Sequence, residues 1–103
     1  METELQQKEK PTPAAVLIAL VRGRIPAAKK EEFEARYLKK VTNLPRGLEQ
    51  SFLLRSIDDP EKYTIETVWG SREALEGGSL GTFFEAVGAS PKIEIHEVIE
   101  TIP

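Results

Sequence analysis

The side chains of this sequence that are best suited to hold a ligand are aromatic. Phe33 and Tyr37 lie four residues apart, Phe83 and Phe84 are adjacent, and Trp69 is the only tryptophan. If these rings converge, they would line a pocket for a flat apolar ligand, because small-molecule sites have mostly apolar walls with a few polar groups. The alternative is that the rings belong to the core, as side chains at helical spacing commonly do. Both interpretations stay open at this point.

Four residues could supply the polar part of such a site: Tyr37, Arg22, Asn43 and Glu66. Their phenol, guanidinium, amide and carboxylate groups could orient a substrate or move a proton. Arg22 and Glu66 fall on strands that we expect to be neighbours, so an ion pair across these strands is the alternative for both. The only histidine, His96, lies among glutamates on the last predicted strand, where a solvated edge position is expected.

The composition argues against several classes of site and protein. Without cysteine the chain has no disulfide, thiolate metal site or cysteine nucleophile, and with one histidine we expect no metal centre. The net charge of -3 does not predict the basic surface that is typical of nucleic-acid binding. The longest apolar run, residues 14–21, is too short to span a membrane, and the N-terminus lacks the pattern of a signal peptide. We therefore expect a cytoplasmic protein that binds neither nucleic acid nor membrane.

Hydrophobic periodicity divides the chain into a polar segment and a series of strands and helices. Residues 1–13 carry few apolar side chains and two prolines, which predicts a flexible tail before one domain over residues 14–103. Strands are predicted over residues 14–25, 47–57, 62–69 and 92–102. Helices are predicted over residues 27–41, 71–75 and 80–87. This order predicts an α+β fold of the ferredoxin-like βαββαβ type, an antiparallel sheet with its helices on one face.

The first predicted strand is apolar on both of its faces. Leu17, Ala19 and Val21 point to one side of the sheet, and Ile18 and Leu20 point to the other. The helices of this fold cover only one face, and a large exposed apolar patch is uncommon on a soluble monomer. We therefore expect a second copy of the chain to cover the open face, which makes the protein a homodimer.

The Gly77-Gly78 pair interrupts the helical pattern that follows the third strand, beside the mouth of the expected pocket. The pair could be a hinge that lets a ligand in. It could equally be a kink that packing requires.

The segment EKYTIETVWGSREALEGG, residues 61–78, resembles the signature stretch of the antibiotic biosynthesis monooxygenase (ABM) domain family. It has a tryptophan at the end of the third strand and a serine at the start of the next helix. The preceding PRGLEQSFLLRSIDDPEKY, residues 45–63, is similar to the second strand and hairpin of that family, where a glycine leads into the strand and an acidic turn follows. The resemblance extends over residues 14–102.

The resemblance implies a dimeric α/β barrel with a pocket between the sheet and the helices of each subunit. Members of the family include small oxygenases that act on polyphenols or quinols without a cofactor, and a branch that breaks down heme. We therefore expect a cofactor-independent monooxygenase of an aromatic, polyphenol or quinol substrate. The expected catalytic residues are Trp69, which corresponds to the tryptophan that ends the third strand in this family, and Tyr37. The expected substrate-binding residues are Phe33, Phe83, Phe84, Arg22, Asn43 and Glu66.

The chain also departs from the pattern of both branches. The heme-degrading branch has an asparagine on the first strand and a histidine after the tryptophan, and neither is present in residues 15–24 or 70–84. The polar partner that some oxygenases place before the tryptophan corresponds here to Ile65. The competing prediction is a non-catalytic dimeric module that binds a small ligand or acts under stress. A cavity beside Trp69 of roughly 300 Å³ or more, reached by a polar group, would favour the enzyme.

Overall fold

The computed structural model describes residues 16–40, 44–78 and 80–102, so the predicted tail lies outside the described residues. Four strands form one antiparallel sheet: β1 (Leu17–Arg24), β2 (Leu48–Arg55), β3 (Lys62–Trp69) and β4 (Lys92–Glu97). The helices are α1 (Lys30–Lys40), which follows a 3₁₀ turn at Ala27–Lys29, then α2 (Arg72–Glu76) and α3 (Thr82–Glu85). The strand order β2-β3-β1-β4 places β1 and β3 in the centre and confirms the predicted ferredoxin-like α+β fold. None of these helices is long and apolar enough to cross a membrane.

Most elements are shorter than the sequence predicts, and two regions show why. β4 ends at Glu97 instead of residue 102, because its partner β1 begins at Leu17, directly opposite Glu97. One further backbone hydrogen bond, from the Val98 N–H to the Val16 carbonyl, closes the ladder. The second helical region holds only the four- and five-residue helices α2 and α3. Gly77 ends α2, and Gly81, at a left-handed φ of 89°, precedes α3.

The two faces of the sheet differ in what covers them. Leu17, Ala19 and Val21 face the helices and are at most 2% exposed, as the alternation in the sequence predicts. The opposite face carries five apolar side chains that helices do not cover: Ile18, Leu20, Phe52, Leu54 and Val68. Phe52 and Leu54 are the most exposed of them, at 40% and 43%. The described residues therefore leave an apolar sheet face open.

The core beneath the helices is divided into two clusters. At one end of β3 the Phe33 ring packs against Tyr63 and Phe84, with centroid distances of 5.1 and 4.9 Å. The Phe84 ring lies where a Cβ on Gly23 would be, so only glycine permits this contact. At the other end, Trp69 packs with Leu17, Ala19 and Leu75.

Candidate functional site

A cavity of about 350 Å³ lies under the helices at the Trp69 end of the sheet. Its floor comes from β2 and β3, one side from the C-terminal half of α1, and the other from the glycine-rich link between α2 and α3. The described lining is mainly apolar, and its side chains with polar groups are those of Tyr37, Lys40, Ser51, Thr67, Trp69 and Thr82. The volume lies within the range of small-ligand sites, which begins at roughly 300 Å³.

Tyr37 and Ser51 form a pair of hydroxyl groups in the wall of this cavity. The Tyr37 hydroxyl lies 2.7 Å from the Ser51 Oγ, and either group can be the donor. Two hydroxyls have two hydrogens, and their mutual bond uses one of them. The pair can therefore donate one further hydrogen bond to an oxygen atom of a bound ligand.

Trp69 is buried at the floor of the cavity, with 2% of its surface exposed. Its indole N–H donates to the Thr67 Oγ1 at 2.8 Å, because alternate residues of β3 share the helix-facing side. Thr67 is itself 7% exposed. The indole thus offers a ligand a ring surface, while its one polar group already has an acceptor.

Packing requires a glycine at one of the two positions of the Gly77-Gly78 pair. A Cβ on Gly78 would lie 2.6 Å from the Trp69 ring, whereas a Cβ on Gly77 would meet nothing closer than 3.6 Å. Gly78 therefore allows the chain to cross close over the indole. The structure supports the packing interpretation at Gly78, and the hinge stays a prediction.

The ABM sequence profile, described as antibiotic biosynthesis monooxygenase, matches residues 16–77, which is more than half of the chain. The chain belongs to this family.

Solved structures with the same fold include oxygenase and heme-degrading proteins. SnoaB, a cofactor-independent oxygenase from Streptomyces nogalater, is 20% identical with a TM-score of 0.66, covering 87% of this chain and 99% of its own. A candidate antibiotic biosynthesis monooxygenase of Caulobacter crescentus is 23% identical with a TM-score of 0.69, and the match covers 84% of this chain and 92% of the other. A heme-degrading protein of Mycobacterium tuberculosis is 27% identical with a TM-score of 0.62, and the match covers 87% of this chain and 98% of the other. No curated protein matches the sequence.

Of the eight residues that the sequence predicts for the ABM site, three line the cavity: Tyr37, Trp69 and Phe83. Phe33 and Phe84 do not, because both are fully buried in the core cluster at the other end of the sheet. For these two rings the core interpretation holds. Asn43 lies outside the described residues.

Arg22 and Glu66 are on the open face of the sheet, opposite the helices and the cavity beneath them. The ion pair considered as the alternative for them does not form, because the Arg22 guanidinium binds Glu94 of β4 instead, at 2.8 Å. The hydrogen bond from Arg22, followed by that from His96, lowers the pKa of the Glu94 carboxyl. His96 is solvent-exposed on the edge strand, as predicted, with its Nε2 3.3 Å from Glu94.

The sequence interpretation missed Lys40, Ser51 and Thr67 in the cavity wall. Thr67 could have been found, because it is two residues before Trp69 on the same face of β3. Ser51 lies opposite Thr67 in the β2–β3 pairing, but a bulge between Leu48 and Gln50 shifts that register. Lys40 is three residues after Tyr37 and so shares its side of α1.

The described lining of the cavity contains no carboxylate and no imidazole. Within the described ranges, no group of three or more His, Cys, Asp or Glu side chains is placed to hold a metal ion. Of the common heme ligands His, Cys, Met and Tyr, only a tyrosine is present in this described lining, and the Tyr37 hydroxyl is bonded to Ser51. The cavity can therefore enclose a flat ligand and donate hydrogen bonds to it, but its described lining contains no conventional general base.

Proposed function

We propose that this ABM-family protein is a cofactor-independent monooxygenase of a flat aromatic, polyphenol or quinol substrate. The observation that carries the proposal is the cavity of about 350 Å³ with the Tyr37–Ser51 hydroxyl pair in its wall. Its volume exceeds the roughly 300 Å³ that separates a ligand site from a packed interior. Trp69, Phe83 and Tyr37 supply the ring surfaces against which the substrate lies.

The reaction would be SH2 + O2 → SO + H2O, in which the substrate supplies all four electrons that reduce O2 and both hydrogens of the water. One oxygen atom forms a C=O bond in the product, and the other leaves as water. The electron donor is the anionic form of the substrate. The chain's own residues hold it in place, keep bulk water away from it, and stabilise the negative charge on its oxygen by the hydrogen bond from the Tyr37–Ser51 pair.

A non-catalytic binding module is the second candidate, and two observations favour it. The Trp69 N–H is already bound to Thr67, and the described cavity wall has no carboxylate or imidazole to take a proton. Such a module would use the same cavity to bind an aromatic ligand without converting it. Binding therefore does not separate the two functions, and turnover does.

The test is oxygen consumption with a panel of hydroquinones and anthrones. Wild type should consume oxygen with at least one of them, and Tyr37→Phe should lower kcat by roughly 100-fold, as removal of an oxyanion-stabilising donor does. Trp69→Phe should weaken substrate binding. Tyr63→Phe is the matched control, because it removes the same hydroxyl from a buried tyrosine outside the cavity. If wild type and all variants are equally inert, the enzyme is ruled out and the binding module remains.

We further propose that the active form is a homodimer in which a second copy covers the apolar sheet face defined above by Ile18, Leu20, Phe52, Leu54 and Val68. Sedimentation at micromolar concentration should show dimers. Leu54→Glu, on this face, should convert them to monomers, because a charge in an apolar interface loses its hydration. Leu38→Glu is the control, since Leu38 is 64% exposed on α1, away from the sheet. Monomers of the wild-type protein would contradict the proposal.

The predicted cytoplasmic location, and the absence of nucleic-acid and membrane binding, stay predictions.

A further inference from the structure

We propose that the ligand of the Trp69 cavity is an aromatic anion, with a carboxylate or phenolate oxygen that pairs with the Lys40 ammonium group. The proposal rests on the cavity that the proposed function uses, and it adds the charge of the substrate and the residue that selects it. Lys40 is then a specificity-determining residue at the mouth of the site.

Lys40 is the one charged side chain in the described lining of the cavity. Among the described residues it forms no ion pair, whereas Arg36, one turn earlier on α1, is 3.3 Å from Glu32. The cavity thus presents a single positive charge that no described carboxylate balances. An anionic ligand would supply the missing partner, and a cationic ligand would be repelled.

The position of Lys40 at the end of α1 offers a second reason for its charge. Lys39 and Lys40 are both in the last turn of α1, where cations interact favourably with the negative end of the helix dipole. Either lysine serves that purpose, but only Lys40 lines the cavity. It does so because it follows Tyr37 by three residues and lies on the same side of the helix. The helix dipole therefore explains why a lysine is present in this turn, but it does not explain why one of the two lysines lines the cavity.

The burial of the lining residues separates the mouth of the cavity from its floor. Lys40 is exposed, whereas Tyr37 and Thr67 are less than 9% exposed. A ligand oxygen at the mouth would accept a charge-assisted hydrogen bond from Lys40, which is stronger than a bond between neutral groups. The remainder of the ligand would lie over the apolar wall, and a second oxygen could accept from the Tyr37–Ser51 pair.

The absence of a base from the described lining points to the same ligand charge. A neutral phenol would need a proton acceptor in order to become the electron-rich anion that reacts with oxygen. The described cavity wall has neither a carboxylate nor an imidazole for that step. A ligand that enters as a phenolate needs no such acceptor, and the Lys40 ammonium stabilises its charge, whereas a carboxylate group on the ligand contributes to binding alone.

The test compares two ligands of nearly the same shape, 6-hydroxy-2-naphthoate and the neutral 6-hydroxy-2-naphthamide, by isothermal titration calorimetry. Wild type should bind the carboxylate roughly tenfold more tightly than the amide, and Lys40→Gln should remove this preference. Raising the salt concentration from 0.02 to 0.5 M should weaken the binding of the carboxylate but not that of the amide. Lys30→Gln is the matched control, because it makes the same charge change at the other end of α1, about 15 Å away along the helix.

Each outcome decides the proposal without reference to turnover. Retained binding of the amide by Lys40→Gln shows that the variant keeps its cavity, so a selective loss of the carboxylate supports the proposal. Equal affinities for the two ligands, or equal effects of the two lysine variants, would overturn it. So would failure of wild type to bind the carboxylate at millimolar concentration. Oxygen uptake with neutral hydroquinones would uphold the proposed oxygenase even in those cases.

Discussion

Tyr63 and Trp69 lie at opposite ends of the same face of β3, and their surroundings differ. Tyr63 is enclosed by Phe33, while Phe84 fills the space above Gly23 beside it. Trp69 is equally buried, but on the side of Phe83 and Gly78 it borders the cavity under the helices. The depressions that Tyr63 borders are instead lined by exposed residues such as Leu54 and Arg55. We refer to these regions as the closed end and the cavity end of the sheet.

The difference arises from the length of the elements above the sheet. The closed end lies under α1, which has 11 residues and inserts Phe33 into the core. The cavity end is covered by α2, by the glycine-rich link and by the Phe83 side of α3, whose Phe84 packs at the closed end instead. α2 and α3 have only five and four residues. Short helices separated by glycine carry too few large side chains to fill the layer. One continuous sheet can thus support a packed core and a cavity side by side.

The largest expected difference between the two ends is in stability, when a phenylalanine at each end is replaced by alanine. Phe33→Ala should lower the free energy of unfolding by about 3–5 kcal/mol, because it leaves a void in a fully packed core. Phe83→Ala should cost only about 1–2 kcal/mol, since that ring is partly exposed in the cavity wall. Urea unfolding measures both values. Equal losses would contradict the difference between the two ends.

A smaller effect is expected when a methyl group is added to a glycine at each end. Gly23→Ala should cost about 1–3 kcal/mol, because the added Cβ meets the enclosed Phe84 ring. Gly78→Ala should cost less in stability but weaken ligand binding, since the Trp69 ring it displaces can move into the cavity. Gly77→Ala is the matched control, because its Cβ would make only ordinary contacts. Thermal unfolding and ligand titration together test the pair, and a Gly78→Ala loss as large as that of Gly23→Ala would argue against a cavity.

The smallest expected effect is a dependence on pH at the closed end. Burial, followed by the hydrogen bond that the Tyr63 hydroxyl donates to Glu34 at 2.6 Å, raises the pKa of Tyr63. A pKa above the unfolded value of about 10 means that the stabilisation is complete below that pH and is lost as the pH rises through the folded value. The stability difference between wild type and Tyr63→Phe should therefore shrink above about pH 10. Urea unfolding at pH 8, 9, 10 and 11 measures it, and a constant difference would contradict the assignment.

The fold could be predicted because it depends on patterns along the chain. The alternation of Tyr63, Ile65, Thr67 and Trp69 with less buried residues defines β3 within its observed bounds. The apolar character of both faces of β1 likewise predicts a central strand and an open sheet face. The end of β4 could not be predicted, because it depends on where the partner strand β1 begins.

The site was less predictable, because it depends on contacts between distant parts of the chain. Phe33 and Phe83 both follow helical spacing, and only the three-dimensional packing places one in the core and the other in a cavity wall. Arg22 has two carboxylates at the same diagonal offset, Glu66 on β3 and Glu94 on β4, so sequence spacing could not choose between them. The position of Lys40 in the cavity wall could not be predicted without knowing which side of α1 meets the cavity.

The proposed function depends most on the cavity end being a ligand site. A crystal structure of the protein soaked anaerobically with a dihydroxynaphthalene would test this directly. We expect density for a flat ligand against Tyr37, Trp69 and Phe83, with one ligand oxygen within hydrogen-bond distance of the Tyr37–Ser51 pair. A collapsed link at residues 77–81 that fills the cavity, or a ligand bound only to the open face of the sheet, would contradict it.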